Sequence, residues 1–127
     1  MNNRDFQITN KVLKEIEVIE DFVRGFDLEK FEADERTKRA VCMTIINIEE
    51  LTKSLTEEFK NIHAHIPWKA IAGMRDITAH KYQTLKMGDV WVTILNDIPK
   101  LKHQLNDILY SGLKGNQISG KQDDSPL

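Results

Sequence analysis

Apolar residues recur at steps of three and four along most of this chain, a period that only one side of an α-helix can bury. In the first segment Leu13, Ile16, Ile19, Val23 and Phe26 keep that rhythm, and Val12 and Phe22 widen it. They predict a helix over roughly residues 5 to 25, ended by Gly25 and Asp27. The stretch DLEKFEA that follows is short and mixed, and reads as a turn or a single helical turn with Leu28 and Phe31 turned inward. Val41, Ile45, Ile48, Leu51 or Thr52, Leu55, Phe59 and Ile62 then carry the rhythm through about six turns. A second long helix is expected there, capped by Asp34 or Thr37 and with Lys60 and His63 near its negative end.

His65-Ile66-Pro67 breaks this helix. Proline is favourable at the first helical position, so Pro67 is expected to open a third helix, PWKAIAGMRDITAH. Trp68, Ile71, Ala72 and Met74 form its buried side, and Gly73 allows close approach of another backbone. Gly88-Asp89 opens the last helix, whose stripe is Trp91, Ile94, Ile98, Leu101, Leu105 and Ile108. Pro99 falls inside that stripe and should kink the helix, because its ring meets the carbonyl of Leu95. Residues 111–127 carry glycines, a proline and polar residues without a period, which reads as a disordered tail. Residues 1–110 are therefore expected to form one all-α, up-and-down bundle of four main helices, with a possible short fifth.

The chain has 127 residues, one domain's worth, which excludes a two-domain enzyme or a (β/α)₈ barrel. It carries no apolar run of the roughly 20 residues a membrane span needs, and its N-terminus lacks an apolar signal core. A cytoplasmic location without membrane contact is expected. The single cysteine, Cys42, excludes an internal disulfide and a multi-cysteine metal site, and beside a long apolar stripe it reads as a packed small side chain.

Net charge is −2, which argues against a general nucleic-acid binder. The distribution argues for a local site instead. Between positions 60 and 86, Lys60, Lys69, Arg75, Lys81 and Lys86 face a single acid, Asp76, so that segment is +4 and the remainder −6. Three of the four histidines lie in the same segment. Within it runs Arg75-Asp76-Ile77-Thr78-Ala79-His80-Lys81-Tyr82. On one continuous helix, at ~100° per residue, Arg75 would share a face with Tyr82, and Asp76 with His80. Asp76 would then fix the tautomer of His80, leaving the other imidazole nitrogen for a substrate. Arg75 offers a planar cation suited to a phosphate. A histidine that moves a proton beside an arginine that holds phosphate oxygens is a device for phosphodiester cleavage. The same spacing also fits an ordinary charged helix end.

Other residues have a plain reading beside a functional one. His63 and His65 suggest a metal, but a structural zinc site wants four ligands, and two solvated histidines at a helix end account for them. A metallohydrolase using His63, His65 and His80 is a weaker alternative. Arg36 and Arg39, in the run DERTKR, fit a solvated helix start or the edge of the cationic site. Trp68 and Trp91 fit the core or a subunit interface. Apolar surface on three helices of so small a bundle suggests a two-fold homodimer.

In this order the first amphipathic helix, DERTKRAV, IPWKAIAGMRDITAHKY and DVWVTILNDIPKLKHQL resemble the HepT-like branch of the HEPN superfamily, over roughly residues 4 to 109. The most specific part is Ile66-Pro67-Trp68 leading to Arg75, His80 and Tyr82. The resemblance implies an α-helical homodimeric toxin of a type VII-like toxin–antitoxin pair, cutting RNA without a metal or other cofactor. It implies Arg75 and His80 as the ribonuclease residues, Asp76 as their support, and a cleft shared by both copies. Lys69, Lys81, Arg36 and Arg39 are the candidates for holding RNA phosphate. It also implies a minimal nucleotidyltransferase (MNT) antitoxin that adenylylates the motif tyrosine, here Tyr82. An alternative is a non-catalytic helical subunit that binds a nucleotide or the nucleotidyltransferase.

Overall fold

The computed structural model describes residues 1–75, 77 and 79–119, without the side chains of 79, 80 and 112–119. It is all-helical, as the periodicity requires. The long elements are α1 (Asn3–Val23), α3 (Glu35–Lys53) and α8 (Ile98–Ser119). Between them lie short helices: α2 (Leu28–Ala33), α4 (Glu57–Ile62), α5 (Trp68–Ala72), α6 (Ala79–Tyr82) and α7 (Met87–Val92). The apolar stripes meet in one core, where Val12, Ile16 and Ile19 of α1, Val41, Ile45 and Ile48 of α3, and Ile98, Leu101 and Leu105 of α8 are buried. Polar ties cross its surface: Lys102 of α8 reaches Glu20 of α1 at 2.9 Å, and Asn47 of α3 donates to Glu15 at 2.9 Å.

Local chemistry sets the boundaries. Asn2 caps α1 by accepting from the Asp5 backbone N–H. Gly25, at φ +80°, takes the left-handed turn that ends the segment, a conformation that a side chain would strain. Asp27 caps α2 and Asp34 caps α3, so of the two expected caps it is Asp34 that receives the Thr37 N–H, at 3.0 Å. DLEKFEA does form one helical turn. Phe31 is fully buried as expected, whereas Leu28, the first residue of the turn, is exposed.

The second helix differs from the expectation. It stops at Lys53 and restarts at Glu57, because Thr56 caps a new helix by accepting from the Phe59 N–H at 3.2 Å. Ile62, assigned to the stripe, is left exposed at the end of α4. The break is fixed from the first turn of α1. Asp5, only 2% exposed, accepts from both the backbone N–H of Thr56 (3.0 Å) and its hydroxyl (2.7 Å). Replacing Asp5 with Ala strands that N–H and should cost about 2 kcal/mol, as expected for hydrogen bonds to a charged group. Denaturant unfolding with an Asp5→Asn control measures it.

The third helix is also shorter than expected. Pro67 precedes α5 as its cap residue rather than opening it, and the helix ends at Ala72. Trp68 is buried and its indole N–H donates to the His63 carbonyl at 3.1 Å. The kink expected at Pro99 takes a definite form: Thr93–Asp97 is a π-helical turn, closed by the Ile98 N–H on the Thr93 carbonyl. The wider turn, placed directly before the proline, relieves the loss of an N–H and the clash with the preceding turn. At the C-terminal end α8 runs through Ser119; of the expected tail, residues 120–127 lie outside the described residues. Among the described residues no helix is long and apolar enough to cross a membrane.

Candidate functional site

The motif does not lie on one helix. After Ala72 the chain turns at Gly73, the Met74 N–H bonds back to Ile71 at 3.3 Å, and Arg75 sits on a bend. The backbone N–H of Arg75 leaves the helical ladder and donates to the side chain of Glu49 at 2.8 Å. Helix resumes only at Ala79. The shared helical face expected for Arg75 and Tyr82 is therefore corrected, since a side-chain acceptor from α3 captures the N–H that would have continued the helix. Asp76 lies outside the described residues, and His80 is described only as backbone within α6. The expected contact between them falls there too.

Glu49 was not singled out in the sequence. It is 4% exposed, a carboxylate on the buried side of α3 between Ile45, Ile48 and Thr52. The signal was legible: an acid at a core position of an otherwise apolar stripe needs a partner, and here the partner is the first residue of the motif. The Arg75 side chain is half-buried and its Nε donates to the Met74 carbonyl at 2.7 Å. Met74 in turn lines a cavity of about 400 Å³ with Asp97 of the π-turn and Lys100 and Gln104 of α8. The π-turn thus borders the segment that carries Arg75.

Tyr82, at the end of α6, is held by the start of α3. Its hydroxyl donates to Glu35 at 2.9 Å, and the Arg39 guanidinium lies 4.9 Å from its ring centroid. Glu35 also accepts from Arg39 at 2.6 Å and pairs with Lys38 at 3.2 Å. Burial, and then the hydrogen bond to Glu35, push the Tyr82 hydroxyl up to about 12. The same hydrogen bond, followed by that of Lys38, holds the Glu35 carboxyl below its ordinary value. Beside the tyrosine opens a cavity of about 330 Å³, lined by Arg39 and Gln83 and by apolar Met43, Ile46 and Ile77. Cys42 also lines it; the thiol is buried, as expected, and desolvation pushes it up to about 11.

Arg39, expected at the edge of the cationic site or in solvent, is thus brought onto the motif tyrosine. Arg36 is exposed and stays near Asp34, whose carboxyl is lowered chiefly by the Thr37 N–H. Lys69 is exposed on α5 and Lys81 on α6. Lys60 pairs with Glu57 at 3.6 Å. His63 is half-buried rather than simply solvated: it packs 4.7 Å from the Phe59 ring, and burial lowers its affinity for a proton. His65 lies 6.2 Å from it, ring to ring. Among the described residues no group of three or more His, Cys, Asp or Glu side chains is placed to hold a metal. Trp68 is core, and Trp91 packs on Phe31 at 5.1 Å.

The pattern of the Ribonuclease HepT-like family matches residues 12–108. Among the relatives of this chain, "Putative RNase TTE0752" of Caldanaerobacter subterraneus subsp. tengcongensis is 39% identical over 77% of this chain and 88% of its own length. "Probable ribonuclease HepT" of Thermococcus cleftensis is 37% identical over 72% of the chain and 83% of its own. "Gamma-glutamylcyclotransferase and putative RNase MJ0434" of Methanocaldococcus jannaschii is 37% identical over 79% of the chain but only 45% of its own length. No solved structure matches. A match across most of the helical bundle identifies the chain as a member of the HepT-like ribonuclease family, of the HEPN type.

Proposed function

We propose that this chain is a metal-independent endoribonuclease toxin of a toxin–antitoxin pair, acting through Arg75 and His80 in a cleft shared by a homodimer. Its antitoxin is an MNT-type nucleotidyltransferase that silences it by adenylylating Tyr82. Family membership supports the ribonuclease chemistry. The observation that carries the assignment to these residues is the capture of the Arg75 N–H by the buried carboxylate of Glu49. A core acid spent on fixing this one bend makes sense where the position of the arginine matters.

In this reading the Arg75 guanidinium holds the non-bridging phosphate oxygens and stabilises charge as it grows there. His80 removes the proton of the ribose 2′-hydroxyl or returns one to the leaving 5′-oxygen. The 2′-oxygen attacks phosphorus, the bond to the 5′-oxygen breaks, and the products end in a 2′,3′-cyclic phosphate and a 5′-hydroxyl. Lys69 and Lys81 contribute charge to the surface that receives RNA, and two copies bring two +4 segments to one cleft, which offsets the chain's net −2. A nucleotide on Tyr82 adds bulk and negative charge beside Arg39 and competes with RNA phosphate.

Incubating the purified protein with single-stranded RNA in EDTA tests this. Fragments ending in cyclic phosphate, from a protein of dimer mass, are the expected result. Cutting that chelator abolishes would overturn the metal-independent chemistry. Intact RNA after long incubation, with tight binding to the nucleotidyltransferase, would favour a non-catalytic partner subunit instead.

A further inference from the structure

Glu35 is the first residue of α3, exposed, and flanked at one helical turn by Lys38 and Arg39. Ion pairs of this kind on a helix surface contribute little to stability. One further contact is not local: the Tyr82 hydroxyl, 47 residues away, donates to Glu35 Oε2 at 2.9 Å. The same oxygen accepts from Arg39 Nε at 2.6 Å, and the Arg39 guanidinium stands over the tyrosine ring. Four side chains thus form a closed arrangement in which two cations hold a carboxylate against a single phenol oxygen.

We propose that Glu35 is the group that takes the proton from Tyr82 when that oxygen is joined to a nucleotidyl phosphorus, and that Lys38 and Arg39 hold the carboxylate in place for it. The proposal rests on the reading that Tyr82 is modified. It adds that the toxin chain itself supplies the proton acceptor for its own modification.

The chemistry is specific. Tyr82 Oη forms a bond to the α-phosphorus of a nucleoside triphosphate, and the bond from that phosphorus to the bridging oxygen breaks. Pyrophosphate leaves with the bonding pair, and the hydroxyl proton passes to Glu35 Oε2 and from there to solvent. A neutral phenol is a weak nucleophile. Burial and Glu35 keep Tyr82 protonated at neutral pH, so prior ionisation is not an economical route. As the oxygen–phosphorus bond forms, the phenol proton becomes strongly acidic, and an acceptor already within hydrogen-bond reach receives it without further movement. Glu35 remains a carboxylate, and hence an acceptor, because the Tyr82 hydroxyl and Lys38 both favour its charged form. The charged and titratable groups facing the pair are Lys38, Arg39 and the Cys42 thiol of α3, with Lys81 the neighbour of Tyr82 on α6. The cavity beside Tyr82 leaves room for the incoming nucleotide on the side of Arg39 and Gln83.

The test uses the full chain, a minimal nucleotidyltransferase, Mg²⁺ and ATP, with the label located by mass spectrometry. If no label reaches Tyr82 of the wild-type chain, the modification reading fails and takes this proposal with it. Given labelling that Tyr82→Phe abolishes, Glu35→Gln is expected to slow it roughly 10²-fold at neutral pH. That deficit should shrink as pH rises towards about 10, where solvent base replaces the missing acceptor. Glu35→Asp should recover part of the rate. Equal labelling of Glu35→Gln and wild type, or a deficit unchanged across pH in a variant of normal helicity and melting temperature, would overturn the role given to Glu35.

Discussion

Replacing His80 with alanine is expected to lower RNA cleavage by roughly 10²–10⁴-fold, the range that a positioned proton-transfer group contributes. Arg75→Ala should lose about 10²–10³-fold, as removal of one charge-stabilising donor does elsewhere. The two losses should not multiply, because in the proposed mechanism both side chains serve one transition state. Arg75→Lys is informative beside them. It keeps the charge and the backbone N–H that Glu49 holds, but it gives up the planar fork, so a substantial defect is expected. Initial rates on a single-stranded RNA of defined length, in chelator, measure all three. Melting temperature of Arg75→Ala should stay near wild type, since Arg75 is only half-buried. Wild-type cleavage by His80→Ala would remove His80 from the mechanism.

The largest effect on stability is expected from Phe31→Ala, at about 3–5 kcal/mol for emptying a fully enclosed aromatic site. Phe31 is the main apolar anchor of α2, which packs on both α3 and α7. Its ring lies 5.1 Å from Trp91, tilted by 36°, a contact worth up to ~1.5 kcal/mol beyond burial. The damage should reach the π-turn, because Trp91 precedes it on α7. Denaturant unfolding gives the free energy, and a shift in tryptophan emission reports the exposure of Trp91. Phe31→Leu should recover more than half of the loss.

The long helices were legible because their code is local and redundant. Leu13, Ile16 and Ile19 on α1, or Leu101, Leu105 and Ile108 on α8, can be buried together only at helical spacing. Caps at Asp34, and the turn at Gly25, are likewise local chemistry. The errors arose where a non-local partner overrode a local preference. Leu55, Phe59 and Ile62 continue the period of α3, yet Asp5 draws the Thr56 N–H out of the helix from 51 residues away. The spacing of Arg75 and Tyr82 suits one helix, yet Glu49 takes the Arg75 N–H and divides it. Asp5 and Glu49 were both visible as acids at core positions of apolar stripes. What such an acid binds is not written beside it.

By itself the sequence determined an all-helical bundle, the basic segment within an acidic chain, and the residues Arg75, His80 and Tyr82 with the family they point to. These follow from periodicity and residue type, which act over one or two turns. Only the tertiary structure decided that the motif is a bend followed by a short helix, that a buried carboxylate holds its first residue, and that Glu35 and Arg39 meet Tyr82. The physical reason is that a buried or partly buried polar group must find its partner wherever packing brings one within about 3 Å. That distance is fixed by how helices far apart in the chain settle against each other.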